Sequence, residues 1–158
     1  MKKALIGPAI FVAATAAAVA TPSGRYLWEG DMFITKVDSA CGTGKTVGKM
    51  VQVVLQPANT ASNSLPGNGN QDQLMIFDQL STMYWVPASG TYLNKAASIS
   101  NKGIDSGGYY TGSQALSSMT VSPQAPTRGD HSVTVSATLT DPSTKCTYSV
   151  YGQLVGPF

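Results

Sequence analysis

Between Ser132 and Thr140 apolar and polar residues alternate without a break. Val133, Val135, Ala137 and Leu139 fall on one side, and Thr134, Ser136, Thr138 and Thr140 on the other. A side-chain period of two belongs to a strand with one buried and one wet face, and a helix cannot satisfy it. Asp141-Pro142-Ser143-Thr144 follows, built of turn-forming residues. Cys146, Tyr148 and Val150 then resume the alternation. The two segments read as a β-hairpin with a four-residue connection. A lone hairpin has nothing to bury its apolar row against, so the rest of the chain must supply more strands.

The remaining sequence does so. The spacing predicts an extended segment over Tyr26 to Val37, with a bulge or bend at Gly30-Asp31. Val51, Val53 and Leu55 alternate with Gln52 and Val54, and Pro57 stops that strand. Residues 57–70 read as a polar loop. Gln73 to Leu80 is a third strand, with Leu74, Ile76 and Leu80 on one face and Met75 and Phe77 on the other. Met83 to Val86 is a fourth, short and aromatic. Residues 88–118 are punctuated by Gly, Asn and Ser, and short strands around Tyr92, Ile99 and Tyr109-Tyr110 are expected there without firm bounds. Ser118 to Ser122 is a strand edge before Pro123. No amphipathic helix and no internal repeat is visible. Seven or eight short strands joined by turns indicate an all-β domain, a single antiparallel β-barrel or β-sandwich.

The start of the domain, Gly24-Arg25-Tyr26-Leu27-Trp28, resembles the opening of small up-and-down barrels of the lipocalin type, where an early Gly and aromatic residues close one end. Lipocalins place the Trp two positions after the Gly, whereas Tyr26 stands there in this chain. The resemblance covers five residues and implies barrel architecture alone.

Residues 1–20 carry a different pattern. Lys2 and Lys3 precede an uncharged, largely apolar stretch from Ala4 to Val19, and Ala18-Val19-Ala20 ends it with small residues. That order is expected of a secretory signal peptide of bacterial type, cleaved after Ala20 to leave 21–158 as one domain. A retained membrane anchor fits less well, because the stretch is Ala-rich, contains Gly7-Pro8 and is short for a span of about 20 strongly apolar residues. Export to the periplasm or the exterior follows. The net charge of +2 then belongs to Lys2 and Lys3, and the domain itself is balanced. A balanced domain lacks the footprint of a nucleic-acid binder and the basic patch that holds a protein on an anionic membrane. In an oxidising compartment the only two cysteines, Cys41 and Cys146, 105 positions apart, read as a disulfide. Closing a loop of about 100 residues stabilises by about 4–5 kcal/mol in the chain-entropy account.

Signs of catalysis are weak. Gly42-Thr43-Gly44-Lys45-Thr46 superficially suggests a phosphate loop, but Ser39 stands where the first Gly is required, and the segment reads as a turn. His131 is the only histidine, and no G-x-S-x-G elbow accompanies it. One His and two bonded Cys leave too few ligands for zinc, so neither metal nor cofactor is expected. A pair drawn from Glu29, Asp31, Asp78 and His131 would be needed for an extracellular carboxylate-dependent hydrolase. Asp78, among apolar residues, either faces solvent or lines a cavity. Arg128-Gly129-Asp130 matches an integrin-binding tripeptide, a chance-level signal. Phe158 ends the chain as in outer-membrane barrels, but Gly156-Pro157 breaks the last strand, so membrane insertion is not expected. The aromatic residues Tyr84, Trp85, Tyr92, Tyr109 and Tyr110 are the candidate ligand contacts, because rings supply contact area at low entropic cost. The expected function is therefore that of an exported, non-enzymatic binding module or envelope or surface component. The alternatives are a periplasmic inhibitor of a hydrolase and the hydrolase itself.

Overall fold

The structure is a computed structural model that describes residues 26–58, 71–79, 81–105 and 108–158. The expected signal peptide, the bulk of the 57–70 loop and Leu80 lie outside these residues. Among the described residues eight strands close into one barrel in sequence order. They are β1 (Trp28–Val37), β2 (Met50–Gln56), β3 (Gln73–Asp78), β4 (Ser81–Pro87), β5 (Ser98–Asp105), β6 (Gly108–Ser122), β7 (Ser132–Thr140) and β8 (Thr147–Val155). Each pairs antiparallel with the next, and β8 returns to β1. The fold is thus an up-and-down barrel, the form that leaves no sheet edge to cover. Two single turns of 3-10 helix, Ser39–Cys41 and Leu93–Lys95, lie in the connections.

The β7–β8 hairpin is as the alternation requires. Val133, Val135, Ala137 and Leu139 are buried with Tyr148, Val150 and Leu154. On the outer face Thr138 meets Ser149 at 3.0 Å and Thr140 meets Thr147 at 2.9 Å, cross-strand pairs each worth about 0.2–1 kcal/mol. The connection is Asp141–Cys146, six residues and not four; the Asp141 N–H still donates to the Cys146 carbonyl at 2.9 Å, and Lys145 turns the chain with a φ of 61°. The wholly buried apolar side chains Val133, Val135 and Leu139 point inward, and Glu29, Asp31, Thr134 and Ser136 point outward. No helix among the described residues is long and apolar enough to cross a membrane.

Four expectations are corrected. Gly30 marks no bulge: it sits in continuous register between Val53 and Leu154, and the irregularity in β1 falls at Ile34/Lys36. Gly is needed there for space, since a Cβ would stand 2.5 Å from the Gln153 carbonyl oxygen. The fourth strand is longer than expected and includes Pro87. Tyr92 is in no strand but precedes the Leu93–Lys95 turn. Ser118 to Ser122 is the end of the 15-residue β6, not a separate edge.

The barrel has two unlike ends. At the end where β1 begins, Trp28, Leu55, Leu74, Leu93, Ile99 and Leu154 are wholly buried and fill the interior. The Trp28 indole donates to the Asp130 carbonyl at 2.7 Å, Tyr26 packs edge-on against Trp28, and the Arg128 guanidinium lies over Tyr26. These contacts close that end with aromatic rings. The opposite end carries the β1–β2 loop, the β7–β8 turn and the Cys41–Cys146 disulfide between them. That end is open.

Candidate functional site

The open end holds a cavity of about 220 Å³. Its depth is apolar: Met32 from β1, Val51 from β2, Ile76 from β3, Met83 and Trp85 from β4, and Val150 from β8. Its rim is polar, with Lys45, Lys49, Asp78 and Ser81. The volume falls below the range of about 300–1,000 Å³ usual for drug-sized ligands. The cavity therefore suits a small molecule or the end of a longer one.

The β1–β2 loop sets the rim. Asp38 caps the Ser39–Cys41 turn by accepting from the Ala40 N–H at 3.0 Å, and its other oxygen accepts from the Thr147 N–H at 3.0 Å. The loop is thereby tied to the start of β8, beside the disulfide. Gly42 follows with φ of 58°, a conformation L side chains rarely adopt, which is why the GTGKT segment is glycine-bearing. The chain then turns back over the mouth, and the Gly48 N–H donates to the Ile34 carbonyl at 2.8 Å. Lys45 is thus carried to the rim.

The two lysines differ. Lys49 forms an ion pair with Asp78 at 2.7 Å, both groups being about 40% exposed, and this bond holds the Asp78 carboxyl below its ordinary range. Lys45 makes no ion pair among the described residues; its ammonium lies 4.7 Å above the Tyr148 ring. Burial pushes the Lys45 pKa down and neighbouring Lys49 adds to that, while Asp78 and Asp141 oppose it at longer range. Tyr148 in turn exchanges hydrogen bonds with the buried Gln114 amide at 2.8 and 3.1 Å. Burial raises the Tyr148 phenol pKa.

The aromatic candidates are dispersed. Trp85 is 1% exposed and forms part of the cavity floor. Tyr84, its neighbour, lies half-buried on the other face of β4. Tyr92 lies at the filled end. Tyr109 is 89% exposed on the β5–β6 hairpin, and the side chain of Tyr110 is outside the described residues. The acidic and histidine candidates do not pair: none of Glu29, Asp31, Asp78 and His131 bonds to another, and of these only Asp78 lines the cavity. Glu29 and Asp31 are exposed on the outer face of β1, and His131 precedes β7 at the filled end. Asp78 both meets solvent and lines the rim, so the two readings of it are one position. In the integrin-type tripeptide, Asp130 turns its carboxylate onto Thr127 and Arg128 stacks on Tyr26. Asp38, Cys41 and Cys146 cluster, but both sulfurs are in the disulfide and offer no thiolate to a metal.

Lys45, Lys49 and Tyr148 were not among the sequence candidates. The available signal is Lys45 in the glycine-bearing run after Cys41, a run that by itself reads only as a turn. Comparison with protein-family models, curated proteins and solved structures gave no match for this chain.

Proposed function

We propose that this chain is an exported, non-enzymatic binding module that takes a small, partly apolar ligand in the open end of the barrel. The observation that carries it is the half-filled interior: large side chains pack one end completely, while the other keeps a cavity with apolar walls and a charged rim. A barrel that needed only stability would fill both ends, since empty apolar space costs packing energy. The disulfide supports a periplasmic or extracellular location.

Methyl NMR of the disulfide-intact protein titrated with 1-octanol tests the reading. Shifts confined to Met32, Ile76 and Met83, with Leu55, Leu74 and Leu93 unmoved, are expected. No saturable shift at the first three would overturn it.

One observation favours a second reading, docking on a partner such as a hydrolase to inhibit it. Ile104 and Tyr109 face each other in register on β5 and β6 and are both exposed near the hairpin tip. Rigid apolar tips bind with little ordering cost. Inhibition of a secreted hydrolase that Tyr109→Ala abolishes would support this reading, and inhibition untouched by that change would count against it.

A further inference from the structure

We propose that the ligand is a monoanionic amphiphile, a carboxylate on a short apolar chain, with its anionic end at Lys45 and its chain against Met32, Ile76, Met83 and Val150. This deepens the binding-module reading and rests on it.

Among the described residues Lys45 is the rim cation that forms no ion pair, Asp78 and Asp141 acting on it only at longer range. Lys49 is satisfied by Asp78 at 2.7 Å, whereas Lys45 has an aromatic face beneath it and no carboxylate in contact among the described residues. A partly buried ammonium is costly when unpaired and gains most from an incoming anion. Its lowered pKa reflects the same desolvation.

Deeper in, the Trp85 indole N–H has no hydrogen-bond partner, and neither has the Asn101 carboxamide oxygen at the paired position of β5; both atoms are shut off from the cavity, so the floor meets a ligand as an apolar surface. The Lys45 ammonium is then the group that meets the anionic end, and one cation matches a single negative charge. A phosphate dianion would call for more donors than Lys45 offers. The walls between Lys45 and the floor are apolar side chains, which suit a hydrocarbon chain.

The test uses three probes that share a chain and differ in the head: sodium octanoate, 1-octanol and octylammonium chloride. Each is titrated by calorimetry into the disulfide-intact protein and into Lys45→Met, which keeps an apolar stem without the charge. Octanoate is expected to bind the parent more tightly than octanol, and octylammonium least. Lys45→Met should weaken octanoate by about tenfold or more, the loss of one charge-assisted hydrogen bond, and leave octanol unchanged. Lys49→Met is expected to have the smaller effect, because Lys49 already holds Asp78. Equal affinity for octanoate and octanol, or an unchanged octanoate affinity in Lys45→Met with native circular dichroism, overturns the anionic ligand and leaves the cavity reading standing. Failure of all three probes to bind overturns both.

Discussion

Asp72 joins two stretches of chain that strand pairing alone would leave apart. It is almost fully buried, and its two oxygens accept from the Ala58 N–H at 2.9 Å and the Leu93 N–H at 3.1 Å. Ala58 follows β2 and Leu93 begins the turn over the filled end, so one carboxylate ties both to the start of β3. Asp72→Asn can accept at only one of its two atoms and leaves a buried N–H facing an amide N–H2. It should cost about 1–3 kcal/mol, measured by urea unfolding. The pH dependence has a definite sign. Burial raises the Asp72 pKa above its ordinary 3.8, against the opposing pull of the two N–H donors. A raised carboxyl pKa gives stability that is fully present below about pH 3.8 and is lost as pH rises through the folded value. The margin of the parent over Asp72→Asn should therefore shrink on going up through that window; a margin that grows would contradict the assignment. Gly30 belongs to the same scale. Its missing Cβ would meet the Gln153 carbonyl oxygen and, at 3.0 Å, the Leu154 Cα, backbone atoms that no rotamer change can move. Gly30→Ala should lose about 1–3 kcal/mol by overpacking, read as a lower melting temperature, and an unchanged melting temperature would refute the fit described for β1 and β8.

Element by element, legibility in the sequence tracks what each strand faces. β7 and β8 were readable because their inner row is apolar and their outer row is Thr and Ser. β2 was less so, since Val53, Val54, Leu55 and Gln56 are buried on both faces and blur the period. β5 and β6 gave almost no signal. Their inner row toward the open end runs through Asn101, Gly103, Gly112 and Gln114 in place of apolar residues. That loss of alternation is the sequence trace of a barrel whose mouth is not a core. The site itself is hardly legible: the sequence points to Trp85 and Asp78, while Lys45 and Tyr148 come together only when the β1–β2 loop is tied back to β8. The disulfide makes that tie permanent. Replacing both cysteines by Ser should cost about 2–5 kcal/mol. It should also free the loop that carries Lys45, detected as faster amide exchange over residues 42–48 than in the parent. Unchanged exchange there would mean that Asp38 and the Gly48–Ile34 hydrogen bond hold the loop without the disulfide.

At the scale of the whole molecule, stability and cavity are divided between the two ends. The filled end, with Trp28 and Leu93 at its centre, supplies close packing. The open end gives up packing and keeps a charged rim, a trade typical of sites built for ligands. Filling the cavity should reverse it: Val150→Phe is expected to abolish octanol binding while stability stays level or rises by about 0.5–2 kcal/mol. A variant that unfolded instead would show the space to be too small for a ring, and the gentler Val150→Ile would then carry the test.

As a ligand cavity, the open end should hold an occupant between its apolar walls. A crystal structure of the disulfide-intact protein grown with octanoate tests it most directly. Ligand density bounded by Met32, Ile76, Met83 and Trp85, with the carboxylate at Lys45, is expected. A mouth closed by repacked Met32 and Met83 side chains, with no ligand between them, would contradict it.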